Sequence, residues 1–251
     1  MRGGFTMDPV AFSVFGLEVR WYGILIAMGV LIGTIIALRE SKRLGIGEEP
    51  LIDLLIWAIP LSLVGARAYY VIFSWDMYKD DLMEILRIRN GGLAIHGAII
   101  MAIIVTVVFT RIRKIDFWAI ADACGPSLIL AQSIGRWGNF INQEAYGGPT
   151  NLPWGIMVNG VKVHPTFLYE SLWNFLVFLF LLWYGRNKQK VRGEVFLLYL
   201  ALYSFIRFLV EGLRTDSLML GSIRVAQLIS VIGVIIPMYI FYRRRKKNVV
   251  I

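Results

Sequence analysis

Residues Trp21–Leu38 read WYGILIAMGVLIGTIIAL, eighteen positions without a single charge. A run of that length and composition approaches the roughly 20 apolar residues that a helix needs to cross the hydrocarbon core of a bilayer. Val225–Tyr242 is equally free of charge, and between Asn90 and Thr110 the only ionisable group is His96. Less clean blocks fall at about 51–73, 117–137, 165–184 and 194–213. With 21–38, 90–110 and 225–242 they make about seven expected transmembrane helices. Composition agrees: 57% of residues are hydrophobic and 17% charged, against about 25% charged in soluble domains. Mean hydropathy is +0.65. The expected fold class is an all-α integral membrane protein, a single polytopic domain over residues 1–251, with a small extracytoplasmic loop region.

Basic residues orient it. Clusters follow the first span (Arg39, Lys42, Arg43), the third (Arg111, Arg113, Lys114), the fifth (Arg186, Lys188, Lys190, Arg192) and the seventh (Arg243–Lys247). They hold 15 of the 26 Lys and Arg residues; the other side, from Arg2 through Arg89 to Arg224, holds 8. The positive-inside rule then puts the N-terminus outside and the C-terminus in the cytoplasm, which needs an odd number of crossings. The net charge of +9 sits in short clusters at helix ends, so it reads as topology and contact with anionic lipid, not as nucleic-acid binding. The first apolar run begins late and is followed by basic residues, so a cleaved signal peptide is not expected. The single Cys124 excludes an intrachain disulfide and a thiolate metal cluster, and reads as a small packing residue.

Polar residues inside such segments are costly, and their default reading is functional. The stretch Gly135–Gly147, GRWGNFINQEAYG, sets Arg136, Asn139, Asn142, Gln143 and Glu144 at the mouth of the fourth span. With the spans alternating in direction, the others collect at the same outer level. Tyr22 opens the first span, Arg67, Tyr69 and Tyr70 lie late in the second, and His96 lies early in the third. His164, Tyr169 and Glu170 open the fifth, and Arg207 and Glu211 lie late in the sixth. Each has a structural alternative. Tyr22 suits an interfacial aromatic belt. His96 suits an interhelical hydrogen bond. Arg207 and Glu211 are spaced for an i, i+4 ion pair, and Arg67 suits pairing with a neighbouring helix. Gly91, Gly92 and Gly97 imply close approach of a helix or a ligand.

Two connections stand out. The Gly-, Pro- and Asn-rich segment 142–165 reads as an ordered loop, with Asn159-Gly160 between Trp154–Val158 and Val161–Val163 signalling a hairpin. Trp75–Arg89 places Trp75, Tyr78, Leu82 and Ile85 at helical spacing and reads as a helix lying on the membrane surface.

Few histidines, no thiolate cluster and no Walker or dinucleotide fingerprint argue for no metal and no cofactor. A cationic pocket with amide donors, opening toward lipid, suits the phosphate of an anionic phospholipid headgroup. A transporter or lipid flippase is the alternative, but it predicts polar groups through the whole depth of the membrane. A scaffold protein leaves the convergence of polar groups unexplained.

The motif Gly135-Arg136-x-Gly138-Asn139-Phe140-Ile141-Asn142-x-Glu144-x-x-Gly147 resembles the signature of the prolipoprotein diacylglyceryl transferases. The likeness extends to Arg20-Trp21-Tyr22-Gly23, Gly91-Gly92-Leu93-Ala94-Ile95-His96-Gly97, His164-Pro165-Thr166-x-x-Tyr169-Glu170 and Arg207-Phe208-x-x-Glu211-x-x-Arg214. Ala98, where glycine is common in the family, is one small departure. The resemblance implies transfer of the sn-1,2-diacylglyceryl group from phosphatidylglycerol to the lipobox cysteine of a prolipoprotein, at the outer face of a bacterial plasma membrane. It implies release of glycerol 1-phosphate; a monomer is the expected state, although the sequence does not give it. The resemblance makes Arg136 and then Arg207 the candidates for stabilising phosphate charge, with Asn139 and Asn142 as neutral donors. Glu144 and Glu211 would hold the arginines, and Gly147 would complete the lipid site. Either His96 would take the thiol proton or the arginine-rich field would activate the thiol directly, two alternatives the sequence leaves open, and Tyr22 would orient headgroup or thiol.

Overall fold

The computed structural model describes residues 8–14, 16–88, 91–221 and 223–248. Arg2, Arg89 and Asn90, used above in the charge count and at the start of the third expected span, lie outside them. Among the described residues there are seven long helices: α1 (Trp21–Arg43), α2 (Glu49–Phe73), α3 (Ile95–Arg113), α4 (Phe117–Ile141), α5 (Thr166–Asn187), α6 (Glu194–Glu211) and α7 (Val225–Asn248). All but α6 are long and apolar enough to cross a membrane. The 18 residues of α6 include Glu194, Arg207 and Glu211. Only 11% of the most apolar stretch of α3, and of α7, is buried inside the protein, so their apolar side chains are left for lipid. The chain is an α-helical membrane protein.

It forms two compact units. One runs up to Glu40 and resumes at Ala121; the other is Ser41–Ile120. In the second unit, α2 and α3 meet backbone to backbone. A Cβ on Gly65 would fall 2.8 Å from Gly97 O, and one on Gly97 would fall 2.2 Å from Gly65 O. Gly97 therefore serves helix packing. Arg113 and Asp53 form an ion pair between the same two helices.

The expected surface helix at 75–89 does not form. Two short 3-10 turns, Trp75–Met77 and Leu82–Leu86, stand in its place. Asp81, extended at φ −141°, caps the second turn by accepting from Met83 N. Arg67 then takes main-chain oxygens of this loop. Its Nη2 donates to Glu84 O (2.6 Å), Nε to Ile85 O (2.9 Å) and Nη1 to both Gly91 O (2.7 Å) and Gly92 O (3.0 Å). An α-helix would have used the first two carbonyls internally. The guanidinium also lies 5.0 Å from the ring centroid of the buried Tyr78. Arg67 thus organises its own loop.

In the first unit, α1 crosses α4 on small residues: Cβ positions at Gly29 and Gly33 would lie 3.4 Å from Ala131 and Ser127. Close approach of this kind drives helix association where lipid removes the hydrophobic incentive. Ile129, Leu130, Val177, Leu181, Val195 and Tyr199 form the core shared by α4, α5 and α6. Ser133 Oγ donates to Ser171 O (2.7 Å) and Ser171 Oγ to Ser133 O (2.9 Å), a reciprocal clasp between α4 and α5.

The expected hairpin is present as β3 (Ile156–Val158) and β4 (Val161–Val163), with Asn159 and Gly160 both at positive φ, 49° and 80°. Such a turn matches the twist of the strands it joins. Two further hairpins, β1 (Val10–Val14) with β2 (Leu17–Arg20) and β5 (Met219–Leu220) with β6 (Ile223–Arg224), were not anticipated.

Candidate active site

Successive helices of the first unit bring the end of α4, the start of α5 and the end of α6 together. There Arg136 Nε lies 2.8 Å from Glu170 Oε2, Arg207 Nη1 lies 3.3 Å from Glu170 Oε1, and Arg207 Nη2 lies 2.8 Å from Glu211 Oε2. Both carboxylates are 2% exposed, while Arg136 and Arg207 keep 18% and 22% of their side chains accessible. The acids are sealed beneath the two cations. Arg136 Nη2 also donates to Tyr203 Oη (3.4 Å). Nη1 of Arg136 and Nε of Arg207 have no partner among the described residues, so each cation keeps donors free.

Glu211 holds Arg207 as expected. Among the described residues Glu144 does not hold an arginine: its Oε1 accepts from Asn139 Nδ2 (2.9 Å) and Asn142 Nδ2 (3.4 Å). It stands beyond the last turn of α4, where Glu144 N bonds Asn139 O (3.0 Å). Gln143 and Ala145 on either side have φ of 51° and 58°. Non-glycine residues in that region signal strain, which gathers at functional sites. Glu170, which reasoning from the sequence left without a role, is the acid that both arginines share.

Two glycines of the motif, Gly138 and Gly147, are steric. A Cβ on Gly138 would lie 2.3 Å from Tyr22 Cδ2, so the Tyr22 ring rests directly on α4. Tyr22 itself is 40% exposed. Gly147 is enclosed by His164, Leu213 and Thr166, with a would-be Cβ 2.7 Å from His164 Cβ. Its N–H donates to His164 O (3.0 Å), which ties the start of the loop to the residue that follows β4. Trp137, Phe140 and Phe167 pack into one aromatic cluster, with Phe140 and Phe167 stacked at 4.6 Å.

His96 belongs to the other unit. It is exposed in the first turn of α3, with the Tyr69 ring 5.9 Å away.

Polar groups are not confined to one end. At the opposite ends of α4, α5 and α6, Asp122 accepts from Gly193 N, Phe196 N and Gln189 Nε2, and Glu194 accepts from Tyr184 Oη. Asp122 thereby supplies a carboxylate to the exposed N–H groups opening α6. This cluster corrects the expectation that all unusual polar groups face one side. Its role is to cap a helix from its neighbour, and a helical pattern read one helix at a time does not reveal that.

The sequence profile of the prolipoprotein diacylglyceryl transferases matches residues 9–243. A protein of Finegoldia magna named phosphatidylglycerol–prolipoprotein diacylglyceryl transferase is 52% identical over 97% of this chain and 98% of its own. Its namesake from Clostridioides difficile strain 630 is 53% identical over 96% of this chain and 98% of its own. One from Listeria monocytogenes serotype 4b is 49% identical over 96% and 92%. The chain belongs to the prolipoprotein diacylglyceryl transferase family and is a membrane-embedded transferase of lipoprotein biosynthesis.

Proposed function

We propose that the protein transfers the sn-1,2-diacylglyceryl group of phosphatidylglycerol to the lipobox cysteine thiol of a prolipoprotein. The thiol gives up its proton, and the sulfur attacks the C3 carbon of the diacylglyceryl group. A C–S thioether bond forms as the C–O bond to phosphate breaks, and glycerol 1-phosphate leaves with that electron pair. Negative charge therefore grows on the phosphate oxygens along the reaction. Donors fixed in advance favour that transition state over the bound lipid.

The observation that carries this reading is the arrangement of Arg136 and Arg207 over one buried carboxylate. The two arginines are balanced by Glu170 and Glu211, so the cluster acts by oriented N–H donors and not by surplus charge. Arg136 is the first phosphate donor and Arg207 the second. Asn139 and Asn142, held by Glu144, add neutral donors, with Gly147 and Glu211 shaping the same lipid site. Tyr22 orients headgroup or thiol. His96 accepts the thiol proton, because an imidazole titrates in the range where a thiol of pKa about 8.5 needs help.

In this reading all seven helices cross a bacterial plasma membrane as one polytopic domain. The N-terminus is outside, the C-terminus cytoplasmic, and the site opens toward the outer leaflet, as the basic clusters require. The enzyme works as a monomer without a metal or other cofactor. Purified protein mixed with phosphatidylglycerol and a lipobox peptide should add the mass of one diacylglyceryl group to the peptide. Recovery of the peptide unchanged would refute the assignment.

A further inference from the structure

The two strands of the β3–β4 hairpin differ in their outer edges. Beyond β4, Thr150 N donates to Lys162 O (2.9 Å), so Lys162 turns its main-chain groups away from β3. Met157 is its cross-strand partner, and the two form a non-hydrogen-bonded pair. Met157 accordingly turns its own N–H and C=O outward, and neither has a main-chain partner among the described residues. An exposed edge with unpaired groups is a template for another strand.

Along β3 runs a groove whose other lining residues are Asn139, Gln143, Glu144 and Tyr146, with the stacked rings of Phe140 and Phe167. A chain lying there passes beside the asparagines and the glutamate of the candidate site. At about 10 Å³ the cavity holds one water-sized group, so an incoming chain has to displace a wall. The turn containing Gln143 and Ala145, both at positive φ, is the strained wall of that groove.

We propose that β3 receives the substrate polypeptide by strand addition, an extended segment of the prolipoprotein exchanging main-chain hydrogen bonds with Met157. The occupant follows from the activity proposed above, on which this inference rests. That reaction needs a polypeptide thiol delivered to the end of α4 and the turn that carries Glu144, and bonds to the main chain bind a segment whatever its side chains.

The test is binding of a fluorescent lipobox peptide to the full-length protein in phosphatidylglycerol-containing micelles, read by anisotropy. Replacing successive peptide amides by esters removes one N–H at a time. On the wild-type protein, Kd should rise about fivefold at the single position whose N–H meets Met157 O, and stay near the all-amide value at its two neighbours. A flat profile, or no binding of the all-amide peptide, overturns the proposal. Met157→Pro, which deletes the outward N–H, should weaken binding more than Met157→Ala; equal losses assign the effect to the side chain and also overturn it. Mass gain of the same all-amide peptide reports separately on the proposed activity, so failure of transfer with an intact ester profile strikes that reading alone.

Discussion

Arg136 and Glu170 join α4 to α5 through an ion pair of 2.8 Å, and the remaining carboxylate oxygen of Glu170 faces Arg207. One buried acid thus sets the direction of two cations on different helices. In an apolar setting such a pair is worth most for where it points its partners, since desolvation offsets much of its attraction.

Arg136→Ala and Asn139→Ala should each lower transfer by at least about 100-fold, the scale seen when one oxyanion donor is removed. Membrane insertion should be unaffected, as checked by fractionation. Full activity in purified Arg136→Ala would remove the phosphate-donor role.

Glu170→Gln keeps the size of the side chain and deletes the shared charge. Stability in detergent should fall by roughly 3 kcal/mol, since two cations lose their common counter-charge. The same variant should lose kcat more than lipid KM, because misdirected donors matter most as charge develops. Unchanged melting and turnover would show that Glu170 does not set the arginines.

Gly138→Ala should destabilise the protein by about 1–3 kcal/mol, because its methyl group would enter the Tyr22 ring. In a Tyr22→Ala background the increment should shrink. Additive melting shifts would contradict the contact.

His96→Gln should slow transfer more at about pH 7 than at about pH 9, where a thiol of pKa about 8.5 ionises unaided. Equal losses at the two values would count against a base.

Asp216 is held below its ordinary value of 3.8, first by its hydrogen bonds from Arg214, at 2.9 and 2.6 Å. Its contribution to stability is therefore complete above that value and disappears as pH falls through the lower, folded-state value. The side chain is 53% exposed, so solvent screening limits the effect to under about 1 kcal/mol. Asp216→Asn should melt slightly below wild type at neutral pH, with the gap closing in strong acid. A gap that widened on acidification would reverse the assignment.

The apolar helices were legible because lipid demands long uncharged runs, and their ends fell within six residues of those read from the sequence, the widest gap being where α7 runs on through its basic cluster to Asn248. Asn159-Gly160 announced its hairpin because few other residues accept two successive positive φ angles. The segment after α2 was misread because its apolar spacing suits a helix, while Arg67, outside the segment, claims carbonyls that a helix would need. Glu170 escaped for a similar reason. Its partners lie on α4 and α6, and a pairing between helices leaves no trace in the spacing of either. Arg207 and Glu211, one turn apart on α6, were legible as a pair.

The bonds of Arg67 also bear on how the chain is assembled. Its acceptors lie 17 to 25 positions downstream, so they follow it out of the ribosome within seconds at ordinary elongation rates of about 5–20 residues per second. The turn before α3 can set around that guanidinium while α5, α6 and α7 are still being synthesised. Biogenesis of the Ser41–Ile120 unit is then a local and early event.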